Sequence, residues 1–241
     1  MPEYLTEELA YFLGFHVGDG YMKIVRRNKT VDYRLVYDGH QINEYTGYQY
    51  FVKPLIKNLF NKEVNITKTT RGTVNISFYS KAILTFLHEC CGLEFSPKKN
   101  IDIPEIIKIS PPTIKANFLR GLADTDFSLV FKNKGRSPVI DHATCSQKLH
   151  DSLKEIFKEW RFSLYSGTFN KERKGTKLVS HQININGKKN LQRWMDTIGF
   201  SSYNTLTRYM VWKETGSLPP KTDINDRIKI LKERGIDFPP S

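Results

Sequence analysis

The fold of this chain is constrained above all by an internal repeat. Gly14 and Gly121 stand 107 positions apart, and Asp19 and Asp126 keep the same interval. That interval also aligns Val74, Ile76 and Phe78 with His181, Ile183 and Ile185, Lys81 with Lys188, Leu84 with Leu191, and residues 91–93 with residues 198–200. Because unrelated stretches do not keep one register over such a distance, the sequence predicts two copies of one structural unit.

Each copy is predicted to form helix, strand, strand, helix, strand, strand, helix, because the apolar period alternates between about 3.6 and 2. In the first copy these elements fall at residues 6–18, 21–27, 32–38, 45–60, 63–69, 73–79 and 81–91. The predicted fold class is α+β, with two pseudo-symmetric αββαββα halves and antiparallel sheets. The predicted domains are an N-terminal half (1–95), a proline-containing linker (96–112), a C-terminal half (113–200) and a helical extension (201–241) with helices near 203–213 and 223–234.

Alternation along the strands predicts one apolar and one polar face for each sheet. The apolar face holds Met22, Ile24, Val64, Ile66, Val74, Ile76 and Phe78 in the first half, and Leu129, Phe131, Ile183 and Ile185 in the second. Basic, amide and hydroxyl side chains on the other face and in adjoining turns could bond phosphates and base edges. This candidate DNA-binding set is Lys23, Arg27, Arg34, Asn65, Thr67, Arg71, Asn75, Ser77, Tyr79, Ser128, Lys132, Lys134, Gln182, Asn184 and Asn186. A merely solvated face carries the same residue types and is the alternative.

Positive charge is in excess, with 37 Lys and Arg against 25 Asp and Glu. The resulting net charge of +12 attracts polyanions, which favours double-stranded DNA as the partner over a merely basic protein. No apolar run approaches the ~18 residues of a membrane span, and no leader pattern opens the chain. We therefore expect no membrane contact and an intracellular protein, cytoplasmic in a prokaryote. The three cysteines suit neither a disulfide framework nor a zinc site.

The repeated segment itself, residues 12–20 and 119–127, ends an apolar helix in each half. A glycine in each helix would let the two backbones approach closely, and both aspartates would then emerge side by side. Carboxylates at a helix C-terminus need a compensating cation, and hard oxygen donors suit Mg²⁺ rather than zinc. The alternative reading is that Gly18 and Gly20 only terminate the first helix.

Both segments resemble the LAGLIDADG motif of homing endonucleases, and the repeat, element order and length resemble the monomeric two-motif type over nearly the whole chain. The resemblance implies a pseudo-twofold monomer whose sheets form a saddle over the DNA major groove. It implies that Asp19 and Asp126 bind Mg²⁺, with Mn²⁺ as a substitute, and that the carbonyls of Gly18 and Thr125 assist. It further implies hydrolysis of both strands of a long, asymmetric site, leaving short 3′ overhangs. Two positions depart from the motif: Val17 replaces its first Asp, and Phe127 replaces its final Gly.

Polar or basic residues near the attacking water are expected in such a site. The interval of 107 pairs Gln41 with Lys148, each just before the second helix of its half, although a small insertion would shift the pairing to His40. An ordinary solvated lysine is the alternative for Lys148. The remaining histidines show no ligand spacing.

Three other functions compete with a nuclease. An RNA maturase that binds intron RNA, or a DNA-binding protein without catalysis, is disfavoured because both motif acids are present. An intein insertion is disfavoured because the sequence ends show no splicing nucleophile and no terminal His-Asn.

Overall fold

The structure, a computed structural model, describes residues 1–98, 100–173 and 175–238. The chain divides into two compact units. The first contains residues 1–98, 104–125 and 201–204, and the second contains the described residues of 99–103, 126–200 and 205–241. Lys99 of the predicted linker and residues 239–241 of the predicted extension lie outside the described residues. The bounds of the two units differ from those of the predicted halves, 1–95 and 113–200. The two halves describe the sequence repeat, and their bounds stay a prediction.

The first unit is built on a four-stranded antiparallel sheet. Its strands are β1 (Tyr21–Arg26), β2 (Val31–His40), β3 (Ile66–Lys68) and β4 (Thr73–Tyr79), in the order β1-β2-β4-β3. Its helices are α1 (Glu7–Asp19), α2 (residues 45–60, with a π-helical turn at Tyr48–Val52), α3 (residues 81–90) and the short α4 (Glu105–Lys108) within the predicted linker. Almost all of α5 (Pro112–Asp126) also belongs to this unit.

The second unit contains a sheet of the same topology. Its strands are β5 (Phe127–Phe131), β6 (Ser137–Thr144), β7 (Leu164–Arg173) and β8 (Thr176–Asn186), in the order β5-β6-β8-β7. Its helices are α6 (Gln147–Glu159), α7 (Lys188–Thr197), most of α8 (Tyr203–Thr215), and α9 (Ile224–Lys232). The matching strand order confirms the repeat, and the two antiparallel sheets confirm the predicted α+β class.

One face of each sheet is buried against helices. In the first unit Phe12, Ile56 and Ile76 are fully buried, and in the second unit Phe157 and Trp194 are. Alternate strand positions point away from this core, as the burial of β4 shows: Val74, Ile76 and Phe78 are buried, and the residues between them are not. The predicted alternation is therefore confirmed for β4, whereas Ile24, Ile66 and Phe131 of the predicted apolar faces are only half-buried. Within the described ranges, no helix is long and apolar enough to cross a membrane.

Candidate active site

The motif helices, α1 and α5, pack backbone to backbone at Gly14 and Gly121 in the first unit. A Cβ added to Gly14 would lie 1.9 Å from the carbonyl oxygen of Phe118, and one on Gly121 would lie 2.0 Å from that of Tyr11. The contact is reciprocal, because Tyr11 and Phe118 are repeat equivalents, as the glycines are. No residue with a side chain fits at either position, so the predicted close approach of the two helices is confirmed.

Each motif helix ends at one of the predicted catalytic acids. Asp19 is the last residue of α1 and is exposed, and Asp126 is the last residue of α5 and is half-buried. Gly20 leaves α1 with an extended backbone (φ −67°, ψ 139°), and Phe127 begins β5 directly. Because neither turn requires positive φ, the bulky Phe127 in place of glycine does not strain the chain.

The difference between Gly20 and Phe127 is offset by a second difference one helical turn earlier. A Cβ on Gly20 would lie 2.4 Å from the ring of His16, whose repeat equivalent is the small Ala123. In the first unit His16 fills this space and its Nδ1 lies 2.8 Å from the Tyr37 hydroxyl. In the second unit Phe127 stacks on another imidazole, His142, with ring centroids 4.4 Å apart.

Lys98 supplies a cation at the end of α1 that sequence reasoning did not find. Its Nζ donates to the carbonyl oxygens of His16, Val17 and Gly18 at 3.0, 2.7 and 2.8 Å. An ammonium group in this position satisfies the last carbonyls of the helix and opposes the negative end of its dipole. The motif predicts a cation at this helix end, but the expected cation is a metal ion. Lys98 lies in the predicted linker, where no local pattern connects it with α1.

A cavity in the first unit contains two of the predicted metal-binding residues, Asp19 and Thr125. Its other polar lining residues include Asn43, Glu44 and Tyr48. Glu44 accepts a hydrogen bond from the backbone N–H of His40, and burial raises the pKa of its carboxyl. The Tyr48 hydroxyl is buried and has no hydrogen-bond partner among the described residues. Burial, followed by the charges of Asp19 and Glu44, raises its pKa.

Asp124, the first acid of the second motif, also lines this cavity but is held by protein groups. It accepts hydrogen bonds from the Tyr11 hydroxyl at 2.7 Å and from the Ser201 N–H at 2.9 and 3.1 Å. Burial raises the pKa of Asp124 to about 6, and these donors limit the rise. The carboxylate thus anchors the start of the C-terminal extension. Val17, its counterpart, cannot form this contact.

The donors near Asp19 fit a hard divalent ion. They are a carboxylate and backbone carbonyls, which are oxygen ligands of the kind that Mg²⁺ prefers. The described residues contain no group of three or more His, Cys, Asp or Glu that could form a closed metal cage. The Gly18 carbonyl fits less well, because Lys98 already occupies it.

Gln41 and Lys148 are not equivalent in their surroundings. Gln41 lies just after β2, is half-buried and donates its N–H to the carbonyl of Gly72 at 2.9 Å, but it does not line the cavity. Lys148 is exposed in the first turn of α6. Helix α2 is followed by Asn61 and α6 by Arg161, both in left-handed conformation and less than 107 positions apart. The repeat interval therefore does not hold through this helix.

The polar face of the first sheet carries an exposed row formed by Lys23, Arg34 and Tyr79 across β1, β2 and β4. The Nε of Arg34 donates to the Ser77 hydroxyl at 3.3 Å. Asn75 donates its side-chain amide to Asp38 at 2.7 Å. The remaining predicted residues of this half, all exposed, are Arg27, Asn65, Thr67 and Arg71.

The polar face of the second sheet is organised around a carboxylate that the sequence prediction omitted. Asp141 accepts hydrogen bonds on one oxygen from the amides of both Gln182, at 2.7 Å, and Asn184. These two amides were predicted to contact DNA, and the structure shows them fixed by a neighbour. The other predicted residues of this half, Ser128, Lys132, Lys134 and Asn186, are exposed.

Comparison with known proteins agrees with this arrangement. Residues 113–199 match the family described as LAGLIDADG-like domain. The chain as a whole has the fold of the monomeric, two-domain LAGLIDADG homing endonucleases, and the resemblance seen in the motifs is thereby confirmed.

Three solved structures illustrate the likeness of fold. Mesophilic variants of the homing endonuclease I-DmoI align with a TM-score of 0.61 and 15% identity, over 81% of this chain and 92% of theirs. I-DmoI in complex with DNA and Mn gives a TM-score of 0.61 and 14% identity, over 81% and 98%. I-SmaMI bound to an uncleaved DNA target in the presence of calcium ions gives 0.54 and 12%, over 95% and 99%.

In sequence, the chain is 32% identical over 207 residues to a probable translation initiation factor IF-2 of Methanocaldococcus jannaschii. The match covers 83% of this chain but 16% of that protein, so the chain spans a small part of its relative's length.

Proposed function

We propose that the protein is a site-specific DNA endonuclease that makes a double-strand break at a long, asymmetric site. The observation that carries the proposal is the reciprocal backbone contact at Gly14 and Gly121, which pairs two helices that each end in a carboxylate. Packing of the hydrophobic core does not require an aspartate at the end of either helix. The likeness of fold to DNA-bound endonucleases supports the same function.

In this proposal Asp19 and Asp126 would hold Mg²⁺, which Mn²⁺ could replace. The carbonyls of Gly18 and Thr125 would be further ligands, and the Gly18 oxygen would be shared with Lys98. A divalent ion supplies stabilisation of charge on the phosphodiester and a more acidic bound water. Lys98 holds the last carbonyls of α1 and thereby orients Asp19. Gln41 and Lys148 remain our candidates for polar groups near the water, and hydrolysis would leave short 3′ overhangs.

DNA recognition is proposed to lie on the polar faces of the two sheets. Exposed cations such as Lys23 and Arg34 would bind phosphates or guanine, and amides such as Asn184 would read adenine. Binding should depend strongly on salt, because neutralised phosphates release counterions.

The test is cleavage of a plasmid library with Mg²⁺ by the wild-type protein and by Asp19→Asn, Asp126→Asn and Asp196→Asn. Asp196 is an exposed carboxylate on α7 and provides a control with the same change of charge. We expect linear product from the wild type and the control. The two motif variants should lose linear product while duplex affinity stays within a few-fold.

Nicked and linear DNA are quantified separately, since a variant that retains one active acid could still cut one strand. Equal cleavage by all four proteins would overturn the assignment of the acids. Absence of cleavage by any of them, with tight binding of a structured intron RNA, would replace the nuclease by a maturase.

A further inference from the structure

A strongly basic cavity lies in the second unit, where the turn between β5 and β6 contacts the segment that follows α8. It has a volume of about 490 Å³, against the ~30 Å³ of one water molecule, and so admits a polyatomic anion. Lys134, Arg208, Lys221 and Arg227 line it, and none of its described lining residues is acidic. The four cations come from four different segments of the chain, so they do not form a simple charged stripe on one helix.

The walls of this cavity are held by specific contacts. Gly135 accepts a hydrogen bond from the N–H of Leu218 at 2.9 Å, and a Cβ on Gly135 would lie 2.2 Å from the Leu218 carbonyl oxygen. Arg227 donates from Nε to the Thr207 hydroxyl at 3.0 Å and from a terminal nitrogen to the Thr222 carbonyl at 2.5 Å. The turn, the loop and α9 are therefore fixed in place around the cavity.

Arg208 and Arg227 lie close together, and the repulsion between their charges disfavours this arrangement. Arg227 is 1% exposed, and burial, followed by the charge of Arg208, lowers its pKa to about 10. Asp223 and Asp226, at the start of α9, partly oppose this. Burial also lowers the pKa of Arg208. Guanidinium groups brought together in this way gain from an anion between them.

Hydrogen bonds within the protein do not satisfy all the donors of the Arg208 side chain. One of its terminal nitrogens donates to the Leu129 carbonyl at 3.3 Å, which covers the outer edge of the edge strand β5. Its Nε, however, is buried and has no hydrogen-bond partner among the described residues. A buried donor without an acceptor is costly, so the contact with β5 does not explain the placement of this side chain, which also lines the cavity. Lys134 and Lys221 are both exposed and both line this cavity. Packing of the protein does not require two ammonium groups there.

We propose that this cavity is a binding site for a phosphate group, held by the guanidinium of Arg208 and the ammonium groups of Lys134 and Lys221. Planar guanidinium groups match phosphate oxygens, and ammonium groups at the rim add charge. The same chemistry fits two sources, a backbone phosphate of bound DNA or a free phosphate compound. The site is separate from the motif helices and does not depend on the proposed cleavage.

The first experiment follows the arginine Nε–H resonances of the full-length protein by NMR during titration with inorganic phosphate, against sodium chloride at matched ionic strength. The Arg208 signal, assigned by its absence in Arg208→Lys, should shift saturably with phosphate and not with chloride. Lys221→Gln and, independently, Lys134→Gln should weaken phosphate binding about tenfold, the equivalent of one charged contact. Lys232→Gln, which removes an equal charge at the exposed end of α9, should bind as the wild type does. An identical response to chloride, or equal weakening by Lys232→Gln, would overturn the proposal.

The second experiment assigns the source and rests on the proposed DNA binding, whereas the phosphate titration does not. Duplex affinity is measured over a range of salt concentrations. If the ligand is a backbone phosphate, Lys221→Gln should lower the slope of log affinity against log salt by about one relative to Lys232→Gln. An unchanged slope with phosphate binding intact assigns the cavity to a free phosphate compound. A chain that binds phosphate but no DNA would refute the proposed function and leave this site standing.

Discussion

The glycines of the motif helices are the residues on which the first unit depends most directly. With an added Cβ 1.9 Å from a backbone oxygen, Gly14→Ala can be accommodated only if α1 and α5 move apart. We expect a loss of about 3 kcal/mol or more in the free energy of unfolding, from overpacking and from the separation of the buried helix faces. Gly121→Ala should behave in the same way, because its contact with Tyr11 is reciprocal. Urea unfolding measures both.

Gly47→Ala is the matched control. Gly47 is also helical, but a Cβ there meets no atom within 4 Å. Since alanine favours helix over glycine by roughly 0.5–1 kcal/mol, this variant should be slightly more stable than the wild type. If Gly14→Ala were tolerated as well as Gly47→Ala, the close packing of the motif helices would be wrong.

A second residue-scale prediction concerns the buried His142. Its ring is 1% exposed and neither ring nitrogen has a hydrogen-bond partner among the described residues. Burial, with a contribution from the charge of His150, lowers the pKa of His142 to about 4, against the opposing effect of Asp141. In the unfolded chain His142 therefore binds a proton near pH 6.5, whereas in the folded chain it binds one only near pH 4. The protein loses stability as the pH falls through this window, by about 1.4 kcal/mol per pH unit for one such group.

His142→Phe should remove that contribution while keeping a ring against Phe127. We expect unchanged or greater stability at pH 7, since two buried polar atoms without partners disappear, and a shallower decline between pH 6.5 and 4. Urea unfolding at a series of pH values measures both effects. His16 adds a similar decline, because burial lowers its pKa to about 3, so some acid sensitivity should persist. A decline as steep as in the wild type would show that His142 does not titrate in this way.

At the scale of elements, the end of α1 shows how a loop residue completes a helix. Lys98→Met keeps the aliphatic part of the side chain and removes the ammonium that binds three carbonyls. We expect a loss of about 2 kcal/mol, as is usual for charge-assisted hydrogen bonds at a helix C-terminus. Lys57→Met is the control: Lys57 contacts Glu63 at 2.7 Å, but both side chains are largely exposed, so the change should cost less than about 0.5 kcal/mol. Equal losses in thermal or urea unfolding would show that the Lys98 contact contributes nothing special.

The elements themselves could be predicted because local patterns determine them. The alternation of Val74, Ile76 and Phe78 with polar residues predicts a strand with one buried face. Because of the repeat, each element of the first half predicts an element of the same type in the second half. Lys98 and Asp141 could not be found in this way. Their roles depend on contacts with distant segments, the first with α1 and the second with β8. The pairing of Gln41 with Lys148 relied on an interval that has already changed in the second strand of each sheet, where Arg34 pairs with Tyr79 and Val139 pairs with Asn186.

At the scale of the whole molecule, the net charge of +12 gives an affinity for polyanions that does not distinguish one DNA sequence from another. In the proposed mode of recognition, discrimination comes from groups held in fixed positions on the polar faces. Asp141 is such a positioning group: it repels phosphate, yet it holds the amides of Gln182 and Asn184. Its presence on a basic protein is intelligible if orientation of the amides matters more than the charge it costs.

Asp141→Ala should therefore change two affinities in opposite directions. Loss of the negative charge should raise the affinity for a scrambled duplex. Release of the two amides should lower the affinity for the duplex recovered by cleavage selection by ~1–3 kcal/mol, or about 5- to 150-fold. Asp196→Ala, which removes the same charge from the exposed surface of α7, should leave the ratio of the two affinities unchanged. Fluorescence anisotropy at one fixed salt concentration measures both affinities for the wild type and for each variant. If both affinities rise together in Asp141→Ala, the carboxylate is only a repulsive charge, and base reading by Gln182 and Asn184 is refuted.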